Sequence, residues 1–161
     1  MVFNNIIYIH KALRINFTTY NNQRDQDMIN SYMHSNIMML SNRNSGHLYC
    51  YARVLGIYHT SIQLNSSWSH NCELHQAEFL WVHWYNVNKK ARAGFKAKCQ
   101  FQLKFQTGSR AFGFVNPANV LCVVHLIPNF SQGTTTHFLG PSIAHHPSKK
   151  DEDSYRYYVN M

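Results

Sequence analysis

The sequence predicts a mainly β protein: a small curled antiparallel sheet or partly open barrel, with an N-terminal arm and an irregular C-terminal tail. Three observations carry that expectation. Two stretches dense in aromatic and branched residues, "YCYARVLGIYHTSIQL" and "AEFLWVHWYNV", alternate with the period of two that belongs to strands. A third stretch, "AFGFVNPANVLCVVHLIPNF", holds two apolar runs separated by an Asn-Pro turn signal. Ten Tyr, ten Phe and three Trp in 161 residues supply side chains that favour strands and fill cores.

Residues 1–35 are expected to form an arm. In "NNIIYIHKALRINF" the spacing of Ile6, Ile7, Ile9, Leu13 and Ile15 fits a strand or a short helix equally, and "TTYNNQRDQDMINSYMHS" is polar and turn-rich. The core domain is expected over 36–130. It opens with a short strand, "NIMML" at 36–40, closed by the turn signal "SNRNSGH". Next, Tyr49, Tyr51 and Arg53 alternate with Cys50, Ala52 and Val54, until Gly56 marks a bulge or bend. "NSSWSHNCELHQ" reads as a loop. Over 77–86, Phe79, Trp81, His83 and Tyr85 lie on one side and Leu80, Val82 and Trp84 on the other, which predicts a central strand covered on both faces.

The basic run "NKKARAGFKAK" reads as an exposed loop, and Phe101, Leu103 and Phe105 mark a one-sided strand. A turn at "TGSR", a short strand over 111–115 and a turn or single helical turn at "NPAN" follow. The apolar run 120–127 has strand length and is ended by Pro128. Residues 131–161 are expected to be a tail that stops inside another apparent strand, "YRYYVNM", as if truncated. Five or six strands, little helix and one contiguous core of Val54, Ile57, Phe79, Leu80, Val82, Val120, Val123 and Leu126 complete the expectation.

A composition of 45% apolar and 14% charged residues supports a globular core. The net charge of +8 is unevenly spread: no Asp or Glu occurs between Glu78 and Asp151, an interval holding Lys89, Lys90, Arg92, Lys96, Lys98, Lys104, Arg110 and the Lys149–Lys150 pair. Such a field attracts phosphates, or it is simply a solvated face. Lys89, Lys90, Arg92, Lys96 and Lys98 lie near Trp84, Tyr85 and Phe95 in sequence. Cations that grip a backbone beside rings that stack bases suit nucleic acid, so these five are the candidate nucleic-acid-binding residues.

Other chemistries find little support. His70, Cys72 and His75 in "HNCELH" could begin a zinc site, but no second ligand pair follows, so neither metal nor cofactor is expected. Cys50 and Cys122 sit in apolar strand patterns and read as small buried hydrophobes. There is no Gly-x-Ser-x-Gly elbow and no phosphate-loop spacing. Of seven acids only Glu78 borders the expected core, which leaves little for carboxylate catalysis. No catalytic residue is assigned, no enzyme is expected, and no small-molecule substrate is evident. Without a signal peptide, or a run near the roughly 18 apolar residues of a membrane span, no membrane partner is expected. The expected location is intracellular, with the nucleus as one candidate compartment.

The runs "TTYNNQRDQDMINSYMHSNIMML", "YARVLGIYH", "FLWVHWY", "AFGFVNPANVLCVVHLIPNF" and "DEDSYRYYVNM" together resemble the C-terminal β-rich region of transposon-derived proteins of mushroom-forming fungi, of the Plavaka or Kyakuja–Dileera–Zisupton kind. The resemblance covers residues 17–161. The RNase-H-like catalytic region of that family would lie far upstream, so no catalytic residue transfers to this chain. Strand order is also similar to chromatin-reading BAH domains, a likeness of architecture alone. What the resemblance and the charge together imply is a noncatalytic accessory or interaction module that contacts nucleic acid or chromatin through a basic loop. The alternative is a degenerate structural fragment with no activity of its own.

Overall fold

Two long strands organise the fold. β5 (Tyr49–Gln63) and β6 (Leu74–Val87) pair antiparallel from Tyr51 opposite Tyr85 to Gln63 opposite Leu74. Their register shifts between Val54 and Gly56, which leaves Leu55 as the extra residue of a bulge at the glycine singled out in the sequence. The computed structural model describes residues 2–19, 21–41, 47–63, 74–88, 101–139 and 152–160.

On its free edge β5 pairs with β1 (Tyr8–His10) and β4 (Asn36–Leu40), while β6 pairs with β7 (Gln102–Phe105) and then β8 (Phe112–Val115). β9 (Val120–Val123) lies outside β4, and β13 (Tyr157–Asn160) outside β7, with β10 (His125–Pro128) outside β13. Among the described residues these nine strands form one antiparallel sheet, ordered β10-β13-β7-β6-β5-β4-β9 with β1 and β8 off that path. The two ends of the path are consecutive pieces of one segment, joined by Val124. A sheet whose edges are one residue apart must curl, although among the described residues no ladder closes it into a barrel. The mainly β, curled antiparallel class read from the sequence is therefore the fold of the chain.

Two smaller ladders complete the strands: the hairpin of β2 (Leu13–Thr18) with β3 (Arg24–Ile29), and the two-residue pair of β11 (Thr134–Thr135) with β12 (Asp153–Ser154). The only helix among the described residues is three 3-10 turns. The one at Pro117–Asn119 realises the "NPAN" signal, with the Asn116 side chain accepting from the Ala118 N–H at 2.9 Å.

The core has two parts, because β5 and β6 present opposite faces with period two. On one face Ala52, Val54, Ile57, Leu80 and Val82 meet Ile37, Met39, Val115 and Val120, and Ile29 from the β2–β3 hairpin closes over them. On the other, Tyr51 and Tyr85 meet Leu103, Phe105, Val124, Leu126, Tyr157 and Val159. That second group draws on strands from end to end of the path, so it fills the inside of the curl.

Several expectations are corrected here. The single core becomes two: Leu126 belongs to the second cluster, Val123 only borders the first, and Phe79 joins neither. Among the described residues, thirteen strands replace five or six. The run 120–127 is split at Val124, whose N–H turns to the Asn36 carbonyl at 2.9 Å. The arm is in part a structural hairpin, with Leu13 and Ile15 packed on the first cluster. The described part of the tail is not irregular, since β13 is bonded on both sides, to β10 and to β7.

If the hairpin belongs to the core, Ile29→Ala should destabilise the protein about as much as Leu80→Ala, by roughly 2–4 kcal/mol in denaturant unfolding. A hairpin that merely lay on the surface would leave Ile29→Ala within about 0.5 kcal/mol of the parent.

Candidate functional site

Inside the curl, one charged residue sits among rings. Arg53 follows Tyr51 on the inner face of β5 and is 7% exposed. Its Nη1 donates to Asp153 Oδ1 at 2.5 Å, and Asp153 is itself 2% exposed. Its Nη2 donates to the Tyr157 hydroxyl at 3.4 Å, and the guanidinium lies 4.6 Å from the centre of the Phe105 ring. The Ser154 N–H donates to the same hydroxyl at 3.0 Å. Burial alone would push the guanidinium down, but the Asp153 carboxylate paired with it more than reverses this, so Arg53 keeps its charge. Burial in turn pushes the Tyr85 and Tyr157 phenols up and holds them neutral. The arrangement is a structural clasp: both charges are spent on each other. Removing one partner by Arg53→Met should cost about 3–5 kcal/mol, because a buried carboxylate loses its cation. The double variant Arg53→Met, Asp153→Leu should cost less than either single change in the same unfolding measurement.

His83, opposite Arg53 on β6, is buried between two rings, 4.5 Å from Phe105 and 4.4 Å from Phe112 by centroid. Its Nε2 bonds the Gln106 carbonyl at 2.9 Å, where the chain leaves β7 on an excursion that returns at β8. Nδ1 has no protein partner among the described residues. Burial lowers the imidazole below its usual value, outweighing the Gln106 bond that raises it. Above about pH 6.5 both folded and unfolded states hold it neutral, and its contribution is fully present. As the pH falls through that value, the unfolded chain takes up a proton that the folded one resists, so stability declines. In His83→Phe this part of the acid-side loss should vanish, leaving a shallower fall in unfolding free energy between about pH 6.5 and pH 5.

Burial also pushes the Cys50 and Cys122 thiols up, away from the reactive thiolate. Both are partly rather than fully buried.

A different surface can meet a ligand. Where β6 ends, a cleft of about 750 Å³ is lined by Lys104, Arg156, His47, Tyr49, Trp84 and Asn88, among others. None of its described lining residues is an acid. Lys104 stands opposite Asn86 in the β6–β7 register and is exposed. Gln102 ties two of the lining residues together: its side-chain oxygen accepts from Asn88 Nδ2 at 2.7 Å and from Arg156 Nη1 at 3.1 Å. Arg156 reaches this point because β13 pairs with β7, Tyr158 opposite Gln102. Another cleft, of about 400 Å³, opens over Arg53 and Asp153, but Asp27 and Asp153 lie in its wall and make it a poorer seat for an anion.

The five cations named from the sequence, Lys89, Lys90, Arg92, Lys96 and Lys98, lie outside the described residues, as do His70, Cys72 and the Lys149–Lys150 pair. His75 stands on β6, in a stretch expected to be loop. Asn88, in the cleft wall, is the last residue before Lys89. Of the site's own cations, Lys104 lay in the acid-free interval; Arg156 did not, and nothing in its sequence neighbourhood linked it to β7.

No family model matches this chain, and neither a curated protein nor a solved structure matches it. Among the described residues no helix is long and apolar enough to cross a membrane, and no group of three or more metal-ligating side chains converges. Fold and site define a mainly β protein with a cationic, aromatic-walled cleft.

Proposed function

We propose that this protein is a noncatalytic interaction module that contacts nucleic acid, free or in chromatin, by gripping its phosphate backbone at the cleft beside β6. The observation that carries the reading is the lining itself: Lys104 and Arg156 with Tyr49 and Trp84, and no carboxylate among the described lining residues. Lysine and arginine neutralise phosphates, Asn86, Asn88 and Gln106 offer amide donors to phosphate or sugar, and the rings give bases a surface. The chain's net charge of +8 adds long-range attraction. From Asn88, in the cleft wall, the sequence runs directly into Lys89, Lys90 and Arg92. The resemblance to transposon-derived proteins supports a DNA-associated origin on the same terms.

Backbone contacts predict steep salt dependence and little sequence preference. Each phosphate contact contributes a slope of about 0.7–0.9 in a log–log plot of affinity against salt. Lys104→Ala should reduce the slope by about one contact, and the combined change of Lys89, Lys90 and Arg92 to Ala by about 2–3 in slope, on every sequence tested. Equal affinity of these variants and the parent, or no binding by the parent at low salt, would leave the charge as mere solvation and favour a structural fragment.

A further inference from the structure

Further along β6, on the face shared by His83 and Tyr85, a row of rings reaches solvent. The strand registers set Tyr58 opposite Phe79, Trp81 opposite Phe114 and His83 opposite Phe112, and alternation brings all of them to one side. The rings meet in two groups: Tyr58 stacks on Phe79 at 5.5 Å and Phe79 meets Phe114 edge-on at 5.6 Å, while Trp81 lies 6.2 Å from Phe112. Phe114 is 70% exposed, Phe112 43% and Trp81 38%. Gly56 keeps the surface low, since a Cβ there would fall 2.5 Å from the Tyr58 hydroxyl and 2.6 Å from its ring. Single exposed aromatics are ordinary; five rings on one sheet face, in two contacting groups that the Trp81–Phe114 register sets side by side, are not.

We propose that this face is a stacking platform for the unpaired bases of a single-stranded nucleic acid, an inference that rests on the nucleic-acid reading above and adds a second contact to it. Three features select that occupant. The surface is made of planar rings rather than branched aliphatics, and every base has a face that stacks on such a ring. Its electrostatics are permissive: from Phe79 to Val115 the sequence holds no carboxylate, while Arg110, two residues before Phe112, is exposed. Its size is also limiting. Taking about 200 Å² for a whole aromatic side chain, the exposed parts of Trp81, Phe112 and Phe114 offer on the order of 300 Å². A stable dimer needs about 800 Å² from each partner, whereas two or three bases fit the smaller area.

The test compares an oligothymidylate of about a dozen nucleotides, within the usual single-strand site sizes, with an abasic strand of equal length, both titrated at several salt concentrations. The parent should bind the base-bearing strand at least about fivefold more tightly than the abasic one. Phe114→Leu and Trp81→Leu, which keep apolar bulk but remove planarity, should each lessen that preference, and Phe114→Tyr should retain it. None of the three should change the salt slope, because stacking releases no counterions. Unchanged preference in both Leu variants, with Lys104→Ala still weakened, would overturn the platform and leave the backbone contact standing. A Leu variant that abolishes self-association in sedimentation, without altering strand binding, would assign the face to a second copy and overturn it too. Absence of any binding by the parent would remove both readings.

Discussion

The contact on which the remainder of this structure depends is the buried pair of Arg53 and Asp153. It joins β5, the longest strand among the described residues, to a residue a hundred positions later in the chain. Two charges withdrawn from water carry a desolvation penalty of several kcal/mol each, offset only where geometry and surrounding hydrogen bonds are complete. Here the Tyr157 hydroxyl accepts from both Arg53 and the Ser154 N–H, and Phe105 stacks beneath the guanidinium. With Asp153 held, the chain enters β13 between β10 and β7, completes the inner wall of the curl and carries Arg156 to the cleft. Clasp, strand order and cationic surface are links of one chain of cause.

The cleft and the ring-covered face answer to different physics. Lys104 and Arg156 act through charge, which ions screen over about 10 Å at ordinary salt. Trp81, Phe112 and Phe114 act through contact area and shape, which salt hardly touches. They also belong to different stretches of β6, with buried His83 between them and Asn86 on the opposite side of the strand. A nucleic acid bound as proposed would be held without its sequence being read, since neither phosphate contacts nor stacking discriminates strongly among bases.

Much of the fold was legible because it is written in local pattern. The strand 36–40 emerges with the expected bounds, Gly56 marks a real break in register, and "NPAN" becomes a helical turn. What pattern could not supply is pairing. β3 begins Arg24-Asp25-Gln26-Asp27, with no alternation to betray it. It is a strand because β2 pairs along its length and because the Asp27 carboxylate accepts from the Val123 N–H at 2.9 Å. Alternation in β5 and β6 separated their two faces but not what would cover each, so one core was expected where there are two. The apparent strand "YRYYVNM" reads as tail because nothing nearby in sequence pairs with it. The site was legible only as a charge imbalance: Lys104 lay within it, while Arg156 enters through a long-range ladder.

The central claim, that the C-terminal strand is an integral wall of the fold clasped through Arg53 and Asp153, is tested most directly by native-state hydrogen exchange. The account predicts that backbone amides of β13 open only with the whole domain, at the same free energy as those in the middle of β5. Exchange of the β13 amides through a local opening, several kcal/mol below the global value, would contradict it by showing that the segment detaches while the sheet remains folded.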